Sequence, residues 1–369
     1  MKITNVEANR YRVPVTVPSL GRQTNSSLML VKVETDEGIT GYGVPGGEHI
    51  RAKYAVQEFI NRDVAPLLIG RNPLETERRW RELWQVFNVR CQTGVWSSGV
   101  SAIDIALWDI KGKYLKQPVH RLLGGNSDEV LAYVTFGFAD YDRKQLVEAA
   151  SKLVADGHDK LKMVVGWYER DTGKYTWSLN EDIERVRAVR EAVGDDVSLM
   201  VDGNCRNSYE RSLKIAKSIE PFDITWFEEP LYANDTILLS QLRAHTTIPI
   251  SAGGSEGHKW AHRNLIVNKA VDIVQPNIGG VGGFTEALKI AHLAQAFNLQ
   301  VNAAGPHGMH LIAGVTNGWQ VEYHYVNWKT YEALFENVPR PEKGRIRVSE
   351  QPGIGLEPKD KALSEFVEN

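Results

Sequence analysis

Cysteine is scarce in this chain: Cys91 and Cys205 are the only two in 369 residues. One pair cannot build the disulfide framework of a secreted domain, so the composition points to a reducing, cytoplasmic setting. A strong charge of either sign is also missing. The formal net charge of −3 provides no basic field for nucleic acid or an anionic membrane, and neither is expected as a partner. No apolar run approaches a membrane span, and the opening Met1-Lys2-Ile3-Thr4-Asn5-Val6 has no core of signal-peptide length. A glycine-rich phosphate turn after an early strand is absent too, which counts against an open, doubly wound nucleotide fold. Gly279-Gly280-Val281-Gly282-Gly283 comes too late in the chain for that role. The remainder, 42% hydrophobic and 24% charged, is ordinary soluble usage. At this length one core stops growing, so two domains or one enlarged barrel are expected.

The pattern changes along the chain. Residues 2–14 and 28–36 alternate and carry β-branched side chains, and Asp36-Glu37-Gly38 before 39–43 is a hairpin signal. Helical patterns follow near 50–69, 74–88 and 97–116; the last spaces Val100, Ile103, Ala106, Leu107 and Ile110 along one face. After Gly124-Gly125, short apolar runs alternate with amphipathic stretches such as 181–193, 208–219 and 283–297. The runs are 130–136, 161–165, 197–201, 224–227, 248–252, 271–274, 299–303 and 319–323. Strand–helix alternation implies a parallel sheet with right-handed crossovers, and eight strands suggest a closed barrel with its chemistry at their C-terminal ends. The tail from 326 reads as charged loop that folds back onto the first domain.

Several of these strands end in polar groups of one kind. Asp202-Gly203-Asn204, Glu228-Glu229-Pro230 and Gly253-Gly254-Ser255-Glu256 follow three of them, Glu322 lies in the last, and Lys160 and Lys162 lie in the second. Carboxylates that converge repel one another unless a cation sits among them, and oxygen donors without a Cys or His cluster suit Mg²⁺. The plainer alternative is a set of solvated loop carboxylates paired with lysines. Lys160 and Lys162, two apart on a strand, share a face. Two adjacent ammonium groups disfavour each other's charge, and a lysine tuned toward neutrality can act as a general base. An ordinary charged strand edge is the alternative, though Leu161, Met163, Val164 and Val165 set Lys162 among apolar neighbours.

At these residues the chain resembles the mandelate racemase / muconate lactonizing enzyme branch of the enolase superfamily, over essentially its whole length. Ser101-Ala102-Ile103-Asp104-Ile105-Ala106-Leu107-Trp108-Asp109-Ile110-Lys111-Gly112-Lys113 is similar to that family's helical signature before the barrel. Lys160-Leu161-Lys162 is similar to its Lys-x-Lys motif, and Asp202-Gly203-Asn204 and Trp226-Phe227-Glu228-Glu229-Pro230 resemble its metal-holding strand ends. The resemblance implies an α/β fold: a modified (β/α)8 TIM barrel of the (β/α)7β type, residues 126–325. It also implies an α+β capping domain, 1–125, completed by 326–369, whose loops near 15–27 and 44–50 close over the substrate. Mg²⁺ would be held by Asp202 and Glu228, Lys162 would abstract the proton α to a carboxylate, and Lys160 would tune it. Glu322 stands where relatives donate a hydrogen bond to the substrate carboxylate. A carbon acid beside a carboxylate is extremely weak, so the family sets its Lys or His base next to Mg²⁺, which stabilises the enediolate as charge develops. Relatives commonly form symmetric homo-oligomers.

Three departures from the family pattern bear on the reaction. Gly254 stands where a third carboxylate is usual, so either Glu256 reaches the metal or water completes the site. Asn277, after Gln275-Pro276, replaces an aspartate, and the usual histidine position reads Ala304, with His307 three residues later. A racemase needs acid–base groups on both faces of the α-carbon; with the second face altered, one-sided chemistry is favoured. That chemistry is dehydration of a sugar acid (an aldonate or aldarate) to a 2-keto-3-deoxy acid, with His307 or His310 protonating the leaving hydroxyl. The alternatives are a racemase, epimerase or sugar-lactone cycloisomerase, or a non-catalytic metal-binding relative. Asn204, Arg206, Glu229, Asn277 and Arg22 are the candidate substrate contacts, with His49, Trp167 and Tyr232 near the same loops.

Overall fold

Alternation over the first residues makes a strand because every second side chain can be buried. β1 (Ile3–Val17) buries Val6, Ala8, Tyr11, Val13 and Val15, and pairs antiparallel with β2 (Arg22–Thr35), which pairs with β3 (Thr40–Gly43). Gly38, at φ 75°, makes the turn between β2 and β3. The computed structural model describes residues 1–17, 22–46, 52–87, 93–138, 140–169 and 171–368, with the Arg22 side chain outside the description. The β1–β2 hairpin runs on to the pair Val17–Arg22. Residues 15–17 and 22–27, expected within a closing loop, are therefore hairpin arms, since each added pair extends an established ladder. The tip, 18–21, and most of the second expected loop, 47–51 with His49, lie outside the described residues.

Helical turns over 53–68 and α1 (Thr76–Phe87) lead to α2 (Val95–Leu115), 21 residues buried on almost every side. Two glycines of β3 admit it. A Cβ on Gly43 would fall 1.9 Å from the Ala102 carbonyl oxygen, and one on Gly41 would fall 2.1 Å from that of Ala106. Lys116 ends α2 in the left-handed conformation, φ 54°.

The barrel strands are β4 (Glu129–Phe136), β5 (Lys160–Val164), β6 (Ser198–Asp202), β7 (Ile224–Glu228), β8 (Ile250–Ala252), β9 (Ile273–Val274), β10 (Gln300–Ala304) and β11 (Gly318–His324). Each is parallel to its neighbours, and β11 pairs with β4 to close the ring. Strands buried on both faces read as continuous apolar runs, which is why each falls on an expected run. The late glycine-rich stretch is where the first unit rests on the barrel. α3 (Gly283–Ala296) begins so close to α2 that a Cβ on Gly283 would sit 2.2 Å from Asp104 Oδ2. The Gly46 amide donates to the Gly279 carbonyl at 2.6 Å.

Helix α4 (Gly305–Gly314) follows β10, and α5 (Tyr325–Leu334) follows β11. The tail is thus not simply loop: α5 buries Trp328, Tyr331 and Leu334 on one face, and Asp360–Phe366 is helical. β12 (Arg345–Arg347) pairs antiparallel with the start of β4, and the Glu368 amide donates to the Arg10 carbonyl at 2.8 Å. Among the described residues, no helix is long and apolar enough to cross a membrane.

Candidate active site

A cavity of about 290 Å³ opens at the C-terminal ends of the barrel strands, floored by the barrel and bordered by Val44, Pro45 and Gly46 of the first unit. Its lining includes Lys162, Asp202, Asn204, Glu228, Glu229, Asn277, His307 and Glu322. Eight of the residues singled out from sequence therefore converge, although they span 160 positions.

Lys162 is the hub. Its side chain is 1% exposed, and its ammonium lies 3.0 Å from Asp202 Oδ2, 3.2 Å from Glu322 Oε1 and against Glu228 Oε1. Burial alone would lower its pKa, but Asp202, Glu228 and Glu322 outweigh that and raise it well above the ordinary lysine value. The shift is opposite to the one expected from a second lysine. Lys160 pairs with Asp159 at 2.7 Å and does not line the cavity. It lies at the first residue of β5, two pleats from the strand end where the site opens, so it cannot tune Lys162. The position on the same face one pleat nearer that end is Val164, in register with Asp202.

Asp202 and Glu228 are direct register partners on β6 and β7. Burial raises both pKa values against the opposing pull of Lys162, Glu228 to about 7. Glu228 is held from behind: Trp226 Nε1 donates to its Oε2 at 3.0 Å and Gln275 Nε2 at 2.8 Å. Asp202 Oδ1 accepts the Asn204 amide at 2.7 Å, a turn that places Asn204 at φ 51°. For Glu322, burial is outweighed by Lys162 and His324, and its pKa falls; the Thr135 hydroxyl donates to it. Buried hard-oxygen donors on neighbouring strands, with their second oxygens held by the protein, fit a Mg²⁺ ion in kind.

Other expectations are corrected. Glu256 does not line the cavity; its chain turns back after Gly253, and Glu256 accepts from Asn234 Nδ2 at 3.3 Å. Ser255 and Glu229 occupy that part of the wall instead. Arg206 lies outside the lining, its guanidinium 3.5 Å from the centre of the Trp167 ring, so stacking rather than substrate positions it. Asn277 lines the cavity as expected of a substrate contact, and its Oδ1 accepts the Gly279 amide at 3.1 Å. His310 is structural, with Nδ1 accepting the His120 amide at 3.2 Å and Nε2 lying 3.0 Å from the Ile354 carbonyl. Arg22 falls outside the described side chains.

His307 does face the cavity, from the first turn of α4. Its Nδ1 is 3.2 Å from the Tyr331 hydroxyl, and burial pushes its pKa down to about 4. Tyr331, Tyr133, Thr135, Trp226, Gln275 and His324 were not foreseen as site residues. Three were within reach of strand arithmetic, since Trp226, Tyr133 and Thr135 sit on the inward face of strands already identified.

Two family profiles match the chain: "Mandelate racemase / muconate lactonizing enzyme, N-terminal domain" over residues 1–124 and "Enolase C-terminal domain-like" over 145–362. Arabinonate dehydratase of Saccharolobus solfataricus is 29% identical over 92% of this chain and 90% of its own length. The crystal structure of 3,6-anhydro-D-galactonate cycloisomerase from Zobellia galactanivorans superposes with a TM-score of 0.88 at 30% identity, covering 100% of both chains. That of L-talarate dehydratase from Polaromonas sp. JS666, complexed with Mg and L-glucarate, gives 0.87 at 29% identity over 100% of this chain and 98% of that one. By its matched profiles, and by a buried Lys162–Asp202–Glu228 cluster at the strand ends of a capped barrel, the chain belongs to the mandelate racemase / muconate lactonizing enzyme branch of the enolase superfamily.

Proposed function

We propose that this protein is a Mg²⁺-dependent lyase that dehydrates an acid sugar to a 2-keto-3-deoxy acid. The observation that carries the reading is the contact of one buried lysine, Lys162, with Asp202, Glu228 and Glu322 at the floor of a cavity sized for a small polar ligand. Arabinonate and L-talarate dehydratases among its relatives favour a polyhydroxy carboxylate over other carbon acids.

Asp202 and Glu228 would hold the ion. When bound, Mg²⁺ would supply a positive field for the charge that develops on the substrate carboxylate, and it would offset two of the three carboxylates that keep Lys162 protonated. Lys162 then takes the α-proton as general base. The β-hydroxyl leaves from the adjacent carbon with a proton, so that water departs and the enol product ketonises. His307 would give that proton as an imidazolium. Burial pushes its pKa down to about 4, so the ring takes a proton up as negative charge develops on the substrate and passes it to the departing hydroxyl, while the Tyr331 hydroxyl, 3.2 Å from Nδ1, orients the ring. Glu322, anchored by Thr135, orients the substrate carboxylate together with Asn204.

In this reading, residues 1–125 with 326–369 act as the cap and 126–325 as the catalytic barrel. The contacts of Gly46 with Gly279 and of Glu368 with Arg10 support that division.

The test is a screen of pentonates, hexonates, aldarates and their lactones with Mg²⁺, following loss of substrate, formation of a 2-keto acid and ²H incorporation from D₂O. A 2-keto-3-deoxy product supports the proposal. Isomerisation of a lactone, or exchange with inversion and no keto acid, would replace dehydration by cycloisomerase or racemase chemistry. No exchange with any acid in a protein that binds Mg²⁺ would leave a non-catalytic metal-binding relative.

A further inference from the structure

Consecutive residues on a strand point to opposite faces, so Glu229 should turn its side chain away from the cavity that Glu228 faces. It does not. Glu229 has φ 37°, a left-handed conformation costly for a residue with a Cβ, and it lines the same cavity as Glu228. That twist at the end of β7 carries the second carboxylate sideways toward the end of β8, where Glu229 Oε1 accepts the Ser255 amide and Asn234 Nδ2, each at 3.0 Å. The Ser255 hydroxyl lies 3.3 Å from Oε2.

The place it reaches is the one left by Gly254. A Cβ built on Gly254 would lie 3.3 Å from Glu229 Oε1 and 3.8 Å from its Cδ, with no other heavy atom within 4 Å. The space that a side chain at the end of β8 would occupy is therefore filled by a carboxylate arriving from β7. Gly254 itself has no positive φ, so its backbone does not require glycine; a Cβ there would only press the Glu229 carboxylate back by a few tenths of an ångström. Glu256, the other acidic residue nearby, is tied to Asn234 outside the cavity wall.

We infer that Glu229 serves as the third carboxylate of the Mg²⁺ centre, beside Asp202 and Glu228, in place of a ligand carried at position 254. The inference rests on the proposed Mg²⁺ role of Asp202 and Glu228. It explains why a strained left-handed glutamate is kept beside a glycine that needs no glycine backbone. Oε1 is filled by its two hydrogen bonds, but Oε2, with only the Ser255 hydroxyl 3.3 Å away, keeps acceptor capacity for an ion, so the fixed carboxylate is oriented rather than used up.

The experiment is direct binding of Mn²⁺ as a Mg²⁺ probe, by electron paramagnetic resonance and calorimetry, without substrate. Glu229→Gln should weaken binding about 10-fold or more, the size of a lost ligand or of its support. Glu256→Gln should bind as the parent does. Gly254→Glu in the Glu229→Ala background moves a carboxylate back to β8 and should recover most of the affinity, which a purely structural role for Glu229 would not permit. Melting temperatures report whether each variant is folded. If Glu229→Gln binds Mn²⁺ like the parent, or if the Gly254→Glu, Glu229→Ala swap recovers nothing while folded, Glu229 is not a ligand. If the parent itself binds no Mn²⁺, both this inference and the Mg²⁺ reading fail, an outcome distinct from either of those two.

Discussion

At the scale of single residues, three carboxylates share one ammonium, and the proposed mechanism turns on that competition. Lys162 holds a high pKa because Asp202, Glu228 and Glu322 surround it, and whatever offsets those carboxylates frees it to act as a base. Lys162→Ala should therefore lose α-proton exchange in D₂O and keto-acid formation together, by roughly 10²-fold or more. His307→Asn should keep exchange while product formation falls, because in the proposed mechanism His307 meets only the leaving hydroxyl. Retained exchange in the lysine variant with lost exchange in the histidine variant, read by proton NMR, would reverse the two roles. The convergence of Lys162, Asp202 and Glu228 on one cavity was legible in the sequence because alternation along a strand fixes their face. It misplaced Lys160 and Glu256, since a lysine at a strand's far end and a glutamate beyond a turn are sent elsewhere by local geometry.

At the scale of elements, the join between α2 and α3 shows how a buried charge is kept. Asp104 accepts the Thr285 amide at 3.0 Å and its hydroxyl at 2.5 Å, and Ser101 Oγ accepts the Gly282 amide at 2.8 Å. Burial raises the Asp104 pKa to about 7, against the lowering effect of Thr285. The sign follows from proton linkage. The native state holds this proton more tightly than the unfolded chain, so the stability Asp104 contributes is greatest below the unfolded value of 3.8 and declines as pH rises toward about 7. Asp104→Ala leaves the Thr285 donors unpaired and should cost about 2–3 kcal/mol near pH 5. The deficit should be smaller at pH 8; chemical denaturation at the two pH values measures it, and a deficit that grows with pH contradicts the raised pKa. Strands were legible because apolar runs mark parallel barrels. Helix α5 was not read as one, although Trp328, Tyr331 and Leu334 repeat at helical spacing, because charged and polar neighbours masked the stripe.

At the scale of the whole molecule, close backbone contact joins the first unit to the barrel at the cavity's rim. A Cβ on Gly279 would lie 2.1 Å from the Gly46 amide nitrogen. Gly279→Ala should push that rim outward while leaving the Lys162 cluster intact. The expected result is a KM raised several-fold with kcat nearly unchanged, and a lowered melting temperature, because the overlap is with backbone. A fall in kcat at constant KM would show instead that Gly279 positions the reacting groups.

The sequence by itself determined the barrel, its eight runs, and the positions of Lys162, Asp202 and Glu228 at or near strand ends. Those follow from local periodicity, because a strand of known direction shows which residues face inward and which end carries the site. Tertiary structure alone decided the side chains whose direction depends on backbone twist or on partners distant in sequence. Glu229 enters the cavity through one left-handed φ, and His307 takes Tyr331 from α5 as its partner. The late glycines serve to seat α2 and the Gly46 loop on the barrel, because a Cβ there would overlap atoms that sequence spacing cannot bring into view.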